Sequence, residues 1–253
     1  MLTLNLIPED RARESLDFAR DRLRRLLAEE GSPGRDERAG RLCLEIGVFG
    51  YALEDYSSAI REDFQEAASL LSLALAFRSA PEPDEQRNPY EAEGFLGAIG
   101  CFGESSDRER VGNLREEQLR NPIRPEHAAI SRFIGQLADC VAGRPPEREE
   151  LLAVIEDCGR VRASRDDRTS LLPAARGFLS VAARDADDWN YALAQILVAH
   201  RREAMHGEWK YLPSGLISFR ALYLAKYGLD RGLKLTAESD YMPISLLRGV
   251  NSR

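Results

Sequence analysis

The sequence predicts an all-α protein built as an irregular stack of antiparallel helical hairpins. Apolar residues recur at steps of three and four through most of the 253 residues, which is the spacing of one helix face. Proline and glycine clusters separate these stretches, for example at residues 31–34 (GSPG) and 143–146 (GRPP). Only residues 233–238 (LKLTAE) could form a strand.

Taken in order, the pattern predicts ten helices and a short closing segment. The helices are expected over residues 8–30, 37–53, 56–78, 90–102, 107–119, 126–142, 147–158, 164–184, 188–206 and 214–227, and the closing segment covers 241–247. No connection is long or biased enough to mark a domain boundary. We therefore expect a single domain over residues 1–253, in which helix 8–30 could lie at the periphery.

Composition and charge restrict the classes of function. Hydrophobic residues make up 43% and charged residues 30% of the chain, as in an ordinary globular protein. The net charge of −7 argues against binding nucleic acid through a basic surface and suits a basic partner. The start of the chain lacks the pattern of a secretory signal, and the longest apolar run, residues 70–77, is too short to span a bilayer. We expect a cytoplasmic protein that does not enter the membrane.

The four cysteines are scattered, with no C-x-x-C pair. They are Cys43, Cys101, Cys140 and Cys158. Each lies in an apolar helical context, so buried free thiols are expected rather than disulfides or metal ligands.

Helix 56–78 carries the strongest pattern in the chain. One face consists of Ile60, Phe64, Ala67, Leu71 and Leu75. Neighbouring apolar residues, Phe77 among them, extend this face almost all round the last two turns, which predicts a central helix. Glu54 and Asp55 precede it, where carboxylates favour a helix N-terminus.

Two further helices contain residues that normally weaken helices. Gly94, Gly97 and Gly100 recur every third residue, although each glycine costs a helix about 1 kcal/mol relative to alanine. Their common side suggests that another helix crosses closely there. Pro173 falls within the first turns of helix 164–184, where proline is tolerated.

A weak internal repeat relates two predicted hairpin turns. The run Glu54-Asp55-Tyr56-x-x-Ala59 is matched by Asp187-Asp188-Trp189-x-x-Ala192, and a small residue, Gly50 or Ala183, precedes each aromatic by six positions. This resembles the helical unit of tetratricopeptide repeats, in which an aromatic and a small residue let paired helices pack closely. Two irregularly spaced units predict hairpins rather than a true repeat array.

No catalytic motif is present. The sequence contains no phosphate-binding or dinucleotide-binding glycine loop, no Gly-x-Ser-x-Gly and no His-Glu-x-x-His. His200 lies on a largely apolar face, which is more typical of a core or surface histidine than of a metal ligand. Glu203 and His206 have the spacing of one half of a di-metal site, but such sites need the pair twice and two further carboxylates. We expect no catalytic residues, no cofactor and no metal, and hence a protein that is not an enzyme.

The acidic hairpin turns are the candidate partner-binding residues. They are Glu54, Asp55, Tyr56, Asp187, Asp188 and Trp189. In one interpretation the aromatic residues anchor the hairpins and the carboxylates cap helices. In the other, the turns present negative charge to a basic partner. Trp209 and Tyr211 form a second aromatic cluster, which could pack in the core or anchor an interface.

Four blocks in order resemble the immunity 49 family of bacterial polymorphic-toxin systems. They are YALEDYSSAIREDFQEAASLLSLAL (51–75), NPYEAEGFLGAIGCFG (88–103), LLPAARGFLSVAARDADDWNYAL (171–193) and SDYMPISLL (239–247). The resemblance implies an all-helical protein that binds and neutralises a cognate secreted toxin, often a nuclease and in some systems delivered by type VI secretion. It supplies no catalytic motif and no toxin-contacting residues. The alternative is a helical-repeat adaptor that scaffolds other proteins.

Overall fold

The computed structural model describes residues 7–28, 34–53, 58–77, 89–114, 119, 127–160, 163–210 and 212–247. Within these ranges the chain forms ten α-helices and no strand, which confirms the all-α prediction. The helices are α1 (Glu9–Ala28), α2 (Arg35–Ala52), α3 (Ser58–Phe77), α4 (Pro89–Phe102), α5 (Ser105–Gly112), α6 (Ala128–Val141), α7 (Arg148–Gly159), α8 (Leu172–Ala183), α9 (Ala186–His206) and α10 (Phe219–Leu229). A π-helical turn (Asp167–Leu171) precedes α8, and short 3₁₀ turns lie at Pro213–Gly215 and Ile244–Leu246.

Most predicted helix bounds agree with the structure to within one or two residues, with two larger differences. The helix predicted over 107–119 ends at Gly112, and residues 115–118 lie outside the described residues. The helix predicted from 214 begins at Phe219, because the 3₁₀ turn at Pro213–Gly215 comes first.

The helices stack as successive hairpins around α4. Helix α2 packs between α1 and α3, and α8 pairs with α9. Helix α4 contacts α3 from the first half of the chain and α6 and α10 from the second half, so it connects the two halves. The buried apolar residues of the described part form one cluster that extends from α1 to the 3₁₀ turn at Ile244–Leu246.

Helix α3 buries the predicted face and exposes its last residue. All five residues of that face are fully buried: Ile60, Phe64, Ala67, Leu71 and Leu75. The Phe64 ring stacks on Phe102 of α4 at a centroid distance of 4.6 Å. We expected the last two turns of the helix to be surrounded by protein. This expectation is wrong at Phe77, which is 80% exposed.

The glycines of α4 allow close contact with α10, as their spacing predicted. A Cβ atom on Gly100 would lie 2.3 Å from the ring of Tyr223, and one on Gly97 would lie 3.4 Å from Cβ of Phe219. At Gly100 only the absence of a side chain lets the two helices approach this closely, whereas a Cβ at Gly97 would make an ordinary van der Waals contact. A Cβ on Gly94 would meet nothing within 4 Å, so this glycine is not needed for the crossing.

The two hairpins of the internal repeat pack through different small residues. A Cβ on Gly50 would lie 2.0 Å from Cδ1 of Ile60, so Gly50 sits at the α2–α3 contact as expected. Ala183 is exposed and has no such role. In the second hairpin the close approach is at Gly177, where a Cβ would lie 3.3 Å from Cβ of Ala192. The likeness to tetratricopeptide repeats therefore does not extend to the packing of the second hairpin.

Pro173 shapes the start of α8. Proline has no N–H to donate to the carbonyl four residues earlier, and its ring crowds that carbonyl. The chain widens into a π turn just before it, and the N–H of Leu172 donates to the carbonyl of Asp167, five residues back. The helical path then continues to Ala183, so the helix predicted over 164–184 is present with one wide turn inside it.

Residues 233–239 form no strand. Their backbone groups instead form hydrogen bonds with the side chain of Asn190 on α9. Its Oδ1 accepts from the N–H groups of Thr236 (2.7 Å) and Ala237 (3.0 Å). Its Nδ2 donates to the carbonyl of Lys234 at 3.0 Å. One amide thus satisfies backbone groups that a sheet would otherwise pair, and the expectation of a possible strand is corrected.

All four cysteines are buried and free, as predicted. Burial raises the pKa of Cys43, Cys140 and Cys158 to about 12, because the thiolate would lose its hydration. No helix in the described part of the chain is long and apolar enough to cross a membrane.

The glycines give a matched test of the packing. A Cβ on Gly228 of α10 would lie 2.3 Å from the buried indole of Trp189, which is rigid and has no space to move into. We expect Gly228→Ala to lower the free energy of unfolding by about 1–3 kcal/mol. Gly94→Ala enters open space within a helix and should raise it by up to about 1 kcal/mol. Urea unfolding followed by circular dichroism measures both, and equal effects would contradict the close contact at Gly228.

Candidate functional site

An open cavity of about 920 Å³ lies where α4, α9 and α10 meet the segment before α8. This volume is in the range of small-molecule and cofactor sites. Aromatic rings form part of the wall, contributed by Tyr90, Phe133, Phe178, Trp209 and Phe219. The loop after α9 and the 3₁₀ turn at Pro213–Gly215 contribute the remaining side.

A buried arginine at the wall of the cavity holds three elements together. The guanidinium of Arg220, on α10, pairs with both carboxylate oxygens of Glu93 on α4, through Nε and through Nη2 at 2.6 Å. It also donates to Asp166 (Nη2–Oδ2, 3.1 Å) and to the hydroxyl of Ser170 (Nη1–Oγ, 2.5 Å). The side chains of Arg220 and Glu93 are only 12% and 8% exposed. All three nitrogens of the guanidinium are therefore satisfied by the protein itself.

The segment that carries Asp166 is fixed by its own cap. Ser164 and Asp167 form a reciprocal capping box: the N–H of Ser164 donates to Asp167 Oδ2 at 2.8 Å, and the N–H of Asp167 donates to Ser164 Oγ at 3.0 Å. The hydroxyl of Tyr90 donates to Asp167 Oδ1 at 3.4 Å. The cap and Tyr90 thus position the start of this segment against α4.

Burial and pairing act together on the ionisation of this cluster. Burial raises the pKa of Glu93, and the charge of Arg220 offsets part of that effect. Burial lowers the pKa of Arg220, but the neighbouring Glu93 and Asp166 charges outweigh it and keep the guanidinium charged. A bidentate arginine pair of this kind survives burial because each charge has its partner in place.

His200 is a neutral core histidine at the edge of the cavity. Its Nε2 lies 3.1 Å from the carbonyl oxygen of Gly215, and because a carbonyl only accepts, Nε2 must donate. The ring lies between those of Trp209 and Tyr241, with centroid distances of 5.2 and 5.1 Å. Burial lowers the pKa of His200 to about 4, although the hydrogen bond to Gly215 opposes this shift.

The described residues that line the cavity carry an excess of negative charge. The carboxylates are Glu93, Asp166, Glu203 and Glu208, and the guanidinium groups are Arg165 and Arg220. Four negative and two positive groups leave a net charge of −2 with the histidines neutral. Arg165 and Glu203 pair at 3.4 Å at the exposed rim, where such a pair contributes little stability. The cavity therefore favours cationic groups.

The cavity contains no metal site within the described residues. No group of three or more histidine, cysteine, aspartate or glutamate side chains is placed to hold an ion there. Glu203 and His206 both line the cavity, but Glu203 is paired with Arg165.

The sequence-predicted partner-binding residues lie elsewhere or outside the described residues. Glu54, Asp55 and Tyr56 belong to the residues that the structure does not describe. Asp187 and Asp188 are exposed at the start of α9, about 24 Å of helix rise from Glu203. The carboxylate that caps α9 is that of Asp185, which accepts from the N–H groups of both residues at 3.1 and 3.0 Å.

Trp189 is a core residue. It is 0% exposed, and its Nε1 donates to the carbonyl of Leu224 at 3.2 Å. This placement supports the interpretation that the aromatic anchors the hairpin. Trp209 is half-buried on the cavity wall, and Tyr211 lies outside the described residues.

Sequence reasoning missed the charged cluster of the cavity. Its signal was present, because Arg220 interrupts the apolar run 215–225 and Glu93 stands in the apolar helix 90–102. A charge on a buried face indicates a buried partner. The pairing itself could not be deduced, since Glu93 and Arg220 are 127 residues apart in the chain.

The chain matches no protein-family model, and neither a curated protein nor a solved structure matches it.

Removing Arg220 should destabilise the fold strongly. Arg220→Met leaves the buried Glu93 without its partner, so the carboxyl must either stay charged in the core or take up a proton, and we expect a loss of about 3–5 kcal/mol in the free energy of unfolding. The double variant Arg220→Met with Glu93→Met removes both charges and should recover most of that loss. Urea unfolding at pH 7 measures both. A double variant no more stable than the single one would refute the coupling.

His200 should make the fold sensitive to mild acid. The unfolded chain protonates an ordinary histidine near pH 6.5, whereas folded His200 does so only near pH 4. Its stabilising contribution is complete above pH 6.5 and is lost as the pH falls towards 4, by roughly 3 kcal/mol. We expect His200→Gln to reduce the loss of stability between pH 6.5 and 4.5. Parallel urea titrations at these two pH values decide the question.

Proposed function

We propose that the chain is an immunity protein that binds a cognate secreted toxin in the cytoplasm and blocks it stoichiometrically. The single observation that carries this proposal is the open, negatively charged cavity with aromatic walls. The resemblance of four sequence blocks to the immunity 49 family supports it, as does the net charge of −7. A nuclease is the class of toxin that fits best, because enzymes that bind nucleic acid present basic surfaces.

The cavity offers attraction to a basic toxin. Glu208 is exposed and Glu203 is half-buried at the rim, so both can accept charge-assisted hydrogen bonds from a lysine or arginine of the toxin. The aromatic wall can pack against the aliphatic part of the same side chain or against a guanidinium. A toxin loop that enters the cavity is then unable to engage nucleic acid.

The excess negative charge also affects the rate of association. Complementary potentials raise association rates, and most differences in affinity among related complexes lie in dissociation. Asp187 and Asp188 add negative potential at the far end of α9. We therefore assign close contacts to the cavity and long-range steering to the acidic turn.

Co-expression with the protein encoded by the neighbouring gene tests the proposal. We expect the wild-type protein to restore growth and to co-purify with the toxin at a ratio of one to one. Glu203→Gln with Glu208→Gln should weaken binding roughly 10-fold or more in isothermal titration, since the cavity loses two of its charges. The matched control, Glu14→Gln with Asp17→Asn on the exposed side of α1, removes the same charge far from the cavity.

A further pair, Asp187→Asn with Asp188→Asn, separates the acidic turn from the cavity. If the turn acts only by steering, the association rate should fall at low salt and the dissociation rate should not change. If the wild-type protein neither restores growth nor co-purifies with the toxin, the immunity function is refuted.

A further inference from the structure

One face of α9 is exposed along almost its whole length and carries apolar side chains. Tyr191 and Val198 are 63% and 71% exposed. The exposed residues that accompany them recur at helical spacing and are Asp187, Ala194, Arg201 and Arg202. The opposite face, with Trp189, Leu193 and Ile196, is fully buried.

The charges on this face are separated by sign. Asp187 and Asp188 stand at its beginning, and Arg201 and Arg202 stand near its end. None of these four side chains forms an ion pair within the described part of the chain. The helix dipole favours the same distribution, so the charges alone do not indicate a partner. The exposed Tyr191 and Val198 lie between the two charged ends, so the face combines apolar surface with charges of opposite sign, a combination that a partner helix can cover.

The face is complementary to its own reversed copy. The point between Ala194 and Gln195 is the midpoint in sequence of Tyr191 and Val198. It is also the midpoint of the acidic pair at 187–188 and the basic pair at 201–202. In an antiparallel pair of α9 helices centred there, each Tyr191 lies opposite Val198 of the other copy. Helical periodicity then places Asp187 beside Arg201 of the second copy, and Asp188 beside Arg202.

The centre of the face suits a close crossing. Ala194 is small and exposed there, so two helix axes could approach to about 8–10 Å. Two-fold pairing of this kind uses one surface twice, as in most homodimers. Helix α9 is 21 residues long, or about 30 Å. One helix pair of that length gives a small interface, which corresponds to a weak dimer.

We propose that α9 is the dimer interface of this protein and that its occupant is the α9 face of a second copy, packed antiparallel. This proposal goes beyond toxin binding and can be tested without a toxin. Cavity residues of α9 such as His200 and Glu203 lie off the exposed face, so the dimer leaves them free of the interface. The dimer would instead cover Asp187 and Asp188, so these two residues would be available to steer a toxin only in the monomer.

Charge exchange between two variants tests the pairing directly. One variant carries Asp187→Arg with Asp188→Arg, and the other carries Arg201→Asp with Arg202→Asp. All four positions are exposed, so both variants should fold, with circular dichroism spectra like that of the wild type. Each alone faces like charge across the two-fold axis, and its dimer should weaken at least about 10-fold. An equimolar mixture restores every opposite pair and should form a heterodimer.

Sedimentation velocity at low salt is the measurement, over protein concentrations up to about 500 µM. We expect the wild type to dimerise with a dissociation constant of roughly 10–100 µM and to dissociate as salt is added. Glu14→Arg with Asp17→Arg on α1 applies the same change in charge away from the interface and should dimerise like the wild type. Wild-type protein that stays monomeric throughout would overturn the proposal, as would a mixture of the two variants that stays monomeric.

A cross-link provides an independent readout. Ala194→Cys places a thiol beside the two-fold axis, and the four native thiols are buried. We expect rapid formation of a disulfide-linked dimer under mild oxidation. Ala182→Cys, on the exposed side of α8, is the control and should remain monomeric. Equal cross-linking at both positions would contradict the proposed centre.

Discussion

The ion cluster around Arg220 is the interaction on which the second half of the structure depends. It connects α4, the capped segment before α8 and α10, and those elements enclose the cavity. Its five donor groups are used within the protein, so the guanidinium supplies geometry rather than a free charge. The apolar contacts of α4 with α10 at Gly97 and Gly100 bring Glu93 within reach. Packing and charge thus determine the same arrangement of helices.

The fold was largely predictable from sequence because helical periodicity is a local signal. The buried face of α3, the close crossing at Gly97 and Gly100, and the free cysteines all follow from residue spacing and type. The predictions were wrong where contacts between distant parts of the chain determine burial and backbone pairing. Phe77 is apolar, but it is two residues from Leu75 and therefore lies on the opposite side of α3, where it is exposed. Residues 233–238 have strand composition, but their backbone groups pair with the side chain of Asn190 rather than with a second strand.

The candidate site was less predictable than the fold because it depends on distant pairs. The sequence drew attention to acidic turns, where charge is visible at the surface, and Asp187 and Asp188 are indeed exposed. It gave no indication of the cavity, whose carboxylates come from α4, α9, the loop after α9 and the segment before α8. A charged residue within an apolar run was the available sign, at Glu93 and again at Arg220. A charged residue of this kind indicates that a buried partner of opposite charge exists, but it does not identify that partner.

The π turn before α8 has a consequence for how this cavity could be lost. A π turn contains one residue more than an α-helical turn, and each α-helical residue rotates the chain by about 100°. The extra residue therefore turns the side chains before it relative to those after it. It brings Asp166 and Ser170 to the same side as Phe178, and all three line the cavity. A deletion of one residue between Asp166 and Pro173 would restore a regular helix while rotating those side chains away. The cavity thus depends on the number of residues between Asp166 and Pro173 as well as on which residues line it.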